Sequence, residues 1–179
     1  KGGIAYEDEN STLKAHGGAS LCGEGFLLLA DSITWNRRLS LVNASGSTSL
    51  TSGDLRLLAD TIMVNLEDGA YSGSNVRGGF NGTVFEAKTL ESVEGKITVQ
   101  DVRLHPFEPT QNGINLSASK WQMDQNLSKF ILHDPRISMG DFVIGKLPKL
   151  SGDFNASRRW LGSKFRVGKE DSLGKIGRA

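Results

Sequence analysis

Apolar and polar residues alternate along two segments of the chain, residues 26–35 and 55–66. Leu, Ile, Val and Thr recur there with a period close to two, which places successive side chains on opposite faces of a β-strand. Turn-forming residues separate such segments, as in Gly23-Glu24-Gly25 and Thr51-Ser52-Gly53-Asp54. Gly, Ser, Thr and Asn interrupt every window in which a helical stripe would form. The pattern predicts an all-β fold of closely spaced antiparallel strands: a sheet stack, a sandwich, a jelly roll or a solenoid.

An internal repeat runs through the same segments. Leu29-Ala30-Asp31-Ser32-Ile33 recurs 29 positions later as Leu58-Ala59-Asp60-Thr61-Ile62, and weaker copies occupy residues 84–90 and 114–121. Each unit of about 30 residues is predicted to be two strands joined by a turn, the hallmark of a repeat architecture. The chain is therefore expected to be built of repeated antiparallel strand pairs.

Apolar residues occupy both faces of the predicted strands, and an acid interrupts each copy of the repeat. Asp31 shares strand parity with Leu29 and Ile33, as Asp60 does with Leu58 and Ile62. Either a β-bulge turns each acid away from the apolar face, or the acids lie at the rim of the sheet. Two sheets that did not close fully would leave an apolar groove, and such a groove usually marks a ligand or partner site.

Basic residues are concentrated in the last part of the sequence. The net charge is +1, but nine Lys and Arg residues face only three acids from residue 145 onward. A basic segment of this kind suits nucleic acid or anionic headgroups. The interpretation we favour is a solvated tail or the start of another element, with no nucleic-acid partner. Because the repeats end before it, we predict two units, a β-domain over residues 1–133 and a basic C-terminal segment over residues 134–179.

Signals of catalysis or metal binding are weak. Cys22 is the single cysteine, and His16, His105 and His133 lie far apart without ligand spacing, so neither a metal site nor a cofactor is predicted. No nucleophile-elbow, phosphate-loop or dinucleotide motif is present. A β-helical polysaccharide lyase or hydrolase would need a carboxylate ladder, for which Asp31 and Asp60 are the candidates. We expect those two acids to be structural and the chain not to be an enzyme.

The repeat itself resembles a known family. Ala30-Asp31-Ser32-Ile33 and Ala59-Asp60-Thr61-Ile62, each preceded by a Gly-containing strand (residues 17–21 and 46–50), are similar to the OstA-like domain of the lipopolysaccharide-transport proteins LptA and LptD. The resemblance covers roughly residues 1–133. Within the family, the periplasmic N-terminal region of the outer-membrane member, LptD, is favoured over the soluble bridge member, because a further segment follows the repeats.

The resemblance implies a half-open β-jelly roll whose apolar interior holds the acyl chains of lipid A. It implies a periplasmic location associated with the outer membrane. The partners it implies are lipopolysaccharide, other jelly-roll transport domains joined edge to edge by β-augmentation, and an outer-membrane barrel that the tail approaches. The residues expected to line the lipid groove are Leu29, Ile33, Trp35, Leu58, Ile62, Val64 and Phe85.

Two other interpretations stay open at this stage. The same repeats would build a structural or adhesive β-solenoid with a fully packed core and no lipid ligand. The seven lining positions would equally suit ordinary residues of a sandwich core.

Overall fold

The computed structural model describes residues 3–7, 11–80, 83–105, 114–124, 129–139, 142–153 and 166–167, with the backbone alone given for 3–7 and 166–167. Every regular element in these ranges is a strand, and no described residue belongs to a helix able to cross a membrane. The strands are β1 (Gly3–Glu7), β2 (Thr12–Gly23), β3 (Phe26–Asn36), β4 (Leu41–Ser52), β5 (Leu55–Asn65), β6 (Tyr71–Phe80), β7 (Thr83–Val93), β8 (Lys96–His105), β9 (Ile114–Asp124), β10 (Lys129–His133), β11 (Arg136–Met139), β12 (Phe142–Lys146), β13 (Leu150–Asp153) and β14 (Arg166–Val167).

All of these strands form one antiparallel sheet. From β1 to β10 each strand pairs with its neighbours in the sequence, as expected for successive hairpins. The sheet divides at β9, whose second half pairs with β10 and whose first half pairs with β11. The all-β architecture predicted from the sequence is confirmed, and its open antiparallel sheet is consistent with a half-open β-jelly roll.

A line of unpaired residues crosses the sheet at the middle of the long strands. The pairing of β3 with β4 shifts register there between Leu29 and Ser32, and that of β4 with β5 shifts between Ser45 and Thr48. The pairing of β6 with β7 and of β8 with β9 skips Asn75 and Asp101 at the same level, without a change of register. We call this line the corner row; its outward side chains are Asp31, Asp60, Asn75, Lys88, Asp101, Ser119 and Asp134.

The backbone of the corner row explains its composition. Ser47, Asn75, Asp101 and Asp134 have φ between 46° and 51°, a left-handed conformation that Asn and Asp adopt far more readily than bulky residues. Gly46 has φ 71°, and a Cβ built on it would lie 2.6 Å from the Asp31 carboxylate oxygen Oδ2. Only glycine meets both the backbone angle and the close approach at this position.

In most long strands the buried side chains change face at the corner row, with β4 as an exception. In β5, Leu55, Leu57 and Ala59 are buried before the bulge, whereas Ile62 and Val64 are buried after it. The two buried sets differ in parity, so an extra residue must separate them. Of the two sequence interpretations of Asp31 and Asp60, the bulge is therefore confirmed.

The sheet folds along the corner row into two facing layers. Layer 1 contains residues 12–16, 32–36, 41–45, 61–65, 71–74, 89–93, 96–100 and 120–124 with β10 and β13. Layer 2 contains residues 19–23, 26–30, 48–52, 55–59, 76–80, 83–87, 102–105 and 114–118 with β11 and β12. The Phe85 ring of layer 2 meets the Trp121 ring of layer 1 edge-on, with centroids 5.5 Å apart. A Cβ on Gly73 of layer 1 would likewise lie 3.3 Å from Val76 of layer 2.

Residues after 134 continue this same sheet. Leu150 in β13 pairs with Leu132 in β10, and Ile137 in β11 pairs with Leu116 in β9. The strands β11 and β12 pair with each other in antiparallel fashion. The predicted boundary between residues 133 and 134 stays a prediction, although strand pairing crosses it.

Candidate functional site

The candidate site is the interior between the two layers, built from cross-strand rows of inward side chains. In layer 1, Ile33, Ala44 and Ile62 follow one another across β3, β4 and β5, and the row continues through Leu90, Val99 and Trp121. In layer 2, Leu28, Leu50 and Leu57 form an equivalent row, which ends in Phe85, Leu104 and Leu116. The interior is thus a continuous apolar core that runs across the strands.

The layer-2 row nearest the corner is made of small side chains. Ala30, Ala59, Ala87 and Ala118 occupy it, one from each copy of the sequence repeat. In each copy a second inward residue stands three positions later, namely Ile33, Ile62, Leu90 and Trp121. Two inward residues three positions apart require a bulge between them. The repeated sequence therefore marks the place where each of these strands changes its buried face.

The structure brings together five of the seven residues predicted to line a lipid groove. Ile33, Ile62, Val64 and Phe85 are buried in the interior, and Trp35 is half-buried and packs against the same core.

Leu29 and Leu58 do not line the interior. They lie on the outer face of layer 2, exposed by 42% and 59%. They precede the bulge, so they point away from Ile33 and Ile62 in spite of their shared parity.

The interior is most accessible at its N-terminal end. Most inward residues of β4 to β9 are buried, whereas Ala19, Leu21, Phe26 and Trp35 are half-buried although they pack against the same core. These four residues belong to β2 and β3. The apolar interior is therefore partly exposed on the β2 side of the sheet.

A few polar groups lie in the interior. The Thr48 hydroxyl donates to the carbonyl of Ala59, its cross-strand partner, at 2.5 Å. The buried indole nitrogen of Trp35 has no hydrogen-bond partner, and the Arg37 guanidinium lies 5.8 Å from the ring centroid. Burial raises the pKa of Tyr71, an effect that its hydrogen bond to Ser92 partly offsets.

The outer face of layer 2 carries a charged cluster. Arg77 and Glu86 are cross-strand partners whose charged atoms lie 3.6 Å apart. Nε2 of His105 lies 4.0 Å from the Glu86 carboxylate, beyond hydrogen-bond distance. Burial lowers the pKa of His105, Glu86 opposes that shift, and Arg103 reinforces it. This cluster was not predicted from the sequence, because its members are separated by long stretches of chain.

Residues considered for catalysis do not converge. Asp31 and Asp60 lie on the corner row, and Asp60 accepts a hydrogen bond from the Asn75 amide at 2.6 Å. His133 lies 2.9 Å from the Gln122 side-chain oxygen, and Cys22 is exposed. Asp31 and Asp60 thus belong to the bend of the sheet, as expected for structural acids.

Known proteins include a solved structure to which this chain is similar. No protein-family description matches the chain, and no curated protein matches it significantly. Among solved structures it is similar to LptH of Pseudomonas aeruginosa, described as the LptA-homologous periplasmic component of the conserved lipopolysaccharide transport device. The similarity covers 84% of this chain and 89% of LptH, with 12% identity and a TM-score of 0.28. A TM-score of this size does not establish a common fold.

Proposed function

We propose that this chain is a periplasmic lipid-conduit module of the lipopolysaccharide-transport type. It takes the acyl chains of lipid A between its two layers and passes them on toward the outer membrane. The observation that carries the proposal is the apolar interior between the layers, which is continuous across the strands and partly exposed on the β2 side. The resemblance of its repeat to the OstA-like domain supports the same assignment.

The lining suits acyl chains because most of its side chains are apolar. Burying one CH₂ group stabilises by roughly 0.8 kcal/mol, so a partly inserted chain gains useful affinity without specific contacts. The inward rows of Ile33 in layer 1 and Leu28 in layer 2 present aliphatic side chains from strand to strand. A lipid in this lining meets similar contacts at each step, which is what a conduit requires.

The open construction of the sheet leaves room for a lipid to enter. Among the described residues, strand pairing joins the layers only through the strands that pass the corner row, and no ladder connects their hairpin ends. The two layers are therefore able to separate on the side opposite the corner. Facing side chains such as Phe85 and Trp121 would move apart as an acyl chain enters.

The two ends of the sheet support edge-to-edge association with further jelly-roll domains. In the described part of the chain β1 pairs only with β2, and β12 pairs only with β11. Phe142 in β12 is 79% exposed, and Val143 and Ile144 are also exposed. An unprotected apolar edge strand is a template for another strand. We propose that such pairing extends the apolar interior into the neighbouring domain.

Within the family, we propose that the chain is a region of the outer-membrane member and not of the soluble bridge member. The repeat units are followed by a basic segment, which the soluble bridge member would not need. We propose that this segment leads toward a barrel in the outer membrane.

Site-specific photo-crosslinking in cells tests the conduit. A photoreactive phenylalanine replaces Phe26 or Trp35, whose aromatic side chains point inward near the partly exposed β2 side. Leu27 and Thr34 serve as matched controls, because each is the chain neighbour of a test position and points outward. We expect a lipopolysaccharide adduct at Phe26 and Trp35 and none at Leu27 or Thr34.

The competing interpretation is a structural β-repeat with no lipid ligand. Folded, exported protein that gives no adduct at Phe26 or Trp35 would favour it over the conduit. Equal adducts at the inward and outward positions would also reject the conduit, since they would indicate non-specific contact with lipid.

A further inference from the structure

A shallow trough runs along the outside of the molecule between the corner row and the next outward row of layer 2. A cavity of about 850 Å³ extends from Ser47 to Arg103, and a second cavity of about 330 Å³ continues from Arg103 to Arg136. The two cavities share Asp101 and Arg103, so they form one trough. Most of its lining is outward side chains, and its floor includes the inward corner residues Ala59, Val76 and Ala118.

Sheet register places charged residues along both walls. One wall is the cross-strand row Arg77, Glu86, Arg103, Ser117 and Arg136. The other wall is the corner row, two residues away along each strand and therefore about 6.6 Å distant.

The charges of the two walls balance. Arg77, Arg103 and Arg136 are opposed within their own row only by Glu86. Across the trough stand Asp60, Asp101 and Asp134 with Lys88. Three cations and one anion on one wall thus face three anions and one cation on the other. A linear polyanion would gain from one wall and be repelled by the other.

Many of these side chains retain hydrogen-bonding capacity. Asp60 and Asp134 each accept one hydrogen bond, from Asn75 and Ser119 at 2.6 and 2.9 Å. A carboxylate has about four acceptor positions, and a guanidinium has five donors in a planar fork. Among the ion pairs of the described residues, none involves Arg103 or Arg136. The trough therefore offers donors along one side and acceptors along the other.

We propose that this trough binds a neutral, extended oligosaccharide. Vicinal hydroxyl groups donate and accept at once, which suits carboxylates and guanidinium groups facing each other across one sugar ring. Since neighbouring strands are about 4.8 Å apart, the walls repeat at close to the length of a sugar residue. No aromatic ring lines either cavity, so binding relies on hydrogen bonds and is weak. This inference does not rest on the proposed lipid conduit.

Amide chemical shifts of the isotope-labelled full chain test the site. The probes are neutral hexasaccharides of glucose, mannose and N-acetylglucosamine, titrated at millimolar concentration. With at least one of them, we expect saturable shifts confined to residues 101–103 and 117–119. Hydrogen bonds to charged groups contribute roughly 1.5–3 kcal/mol, so Arg103→Ala should weaken binding about tenfold or more.

Matched variants separate the trough from the rest of the surface. Asp101→Asn keeps the left-handed backbone compatible with its side chain and should weaken binding by removing an acceptor. Glu91→Ala and Lys120→Ala change an exposed and a half-buried charge on the outer face of layer 1 and should leave the affinity unchanged. Absence of saturable shifts with all three saccharides would overturn the proposal. So would binding of a sulfated saccharide alone, lost in high salt, because the trough would then be an anion site.

Discussion

Gly46 is the position where one added methyl group tests the corner of the fold most directly. In Gly46→Ala, the new Cβ would lie 2.6 Å from Oδ2 of Asp31 and 3.0 Å from its Cβ. The backbone at Gly46 also has φ 71°, which an alanine adopts only with strain. Two separate costs therefore act on the same substitution, one from the backbone and one from Asp31.

Gly25→Ala isolates the backbone cost. Gly25 has φ 79°, and a Cβ there would meet nothing within 4 Å. A left-handed L-residue costs about 1–2 kcal/mol, of which a lower entropy of the unfolded chain returns roughly 0.4–1 kcal/mol. Gly25→Ala should therefore lower the free energy of unfolding by about 1 kcal/mol. Asp31 is exposed, so its side chain can move aside, and an off-rotamer side chain costs about 0.5–1.5 kcal/mol. Gly46→Ala should therefore lower the free energy of unfolding by about 1.5–2.5 kcal/mol.

Urea denaturation followed by circular dichroism measures both variants under the same conditions. The double variant Asp31→Ala/Gly46→Ala should recover part of the difference, since it removes the carboxylate but leaves its Cβ. The reasoning would be refuted if Gly46→Ala and Gly25→Ala destabilised the protein equally, or if Asp31→Ala gave no recovery. Either result would mean that Asp31 does not lie as close to Gly46 as described above.

Two further predictions concern the packing of the layers and pH. Phe85→Ala removes a fully buried ring and should lower the free energy of unfolding by about 3–5 kcal/mol. A double-mutant cycle with Trp121→Ala should show a coupling free energy of about 0.5–1.5 kcal/mol beyond the effect of buried area. Additive effects of the two substitutions would contradict contact between the layers. Because burial lowers the pKa of His105, the neutral imidazole is favoured in the folded state. The resulting stability is present above the unfolded pKa of about 6.5 and is lost as the pH falls through the folded value. Urea midpoints at about pH 7.5 and 5 should therefore differ more for the parent protein than for His105→Gln, and equal differences would exclude His105 as the cause.

The sequence was most informative about strands and their order. The alternating segments 26–35 and 55–66 match β3 (Phe26–Asn36) and β5 (Leu55–Asn65) closely, because strand periodicity and turn residues are local signals. The repeated Asp31 and Asp60 correctly narrowed the choice to a bulge or a rim. Local pattern therefore indicated where each strand bends, without stating the direction in which its side chains turn.

The direction in which each side chain points was harder to predict, because apolar character alone does not identify the inner face of a strand. Leu29 and Leu58 were grouped with Ile33 and Ile62 by parity, and one inserted residue reverses that grouping. The spacing of Ala30 and Ile33 contains the missing signal, since two inward residues three positions apart imply the bulge. The polar trough was beyond prediction, because its walls are assembled from six strands through register and from no contiguous motif.

The corner row also determines how the interior lengthens when strands are added. Every long strand carries its own bend at the same level, so the width of each layer is set by where the bulge falls within a strand. The number of strands does not enter into that width. A hairpin added at either end would lengthen the interior by about 9.6 Å, two strand spacings, and leave its cross-section unchanged. Duplication of one strand pair is thus sufficient to span a greater distance, and the reach of the fold is a matter of repeat count.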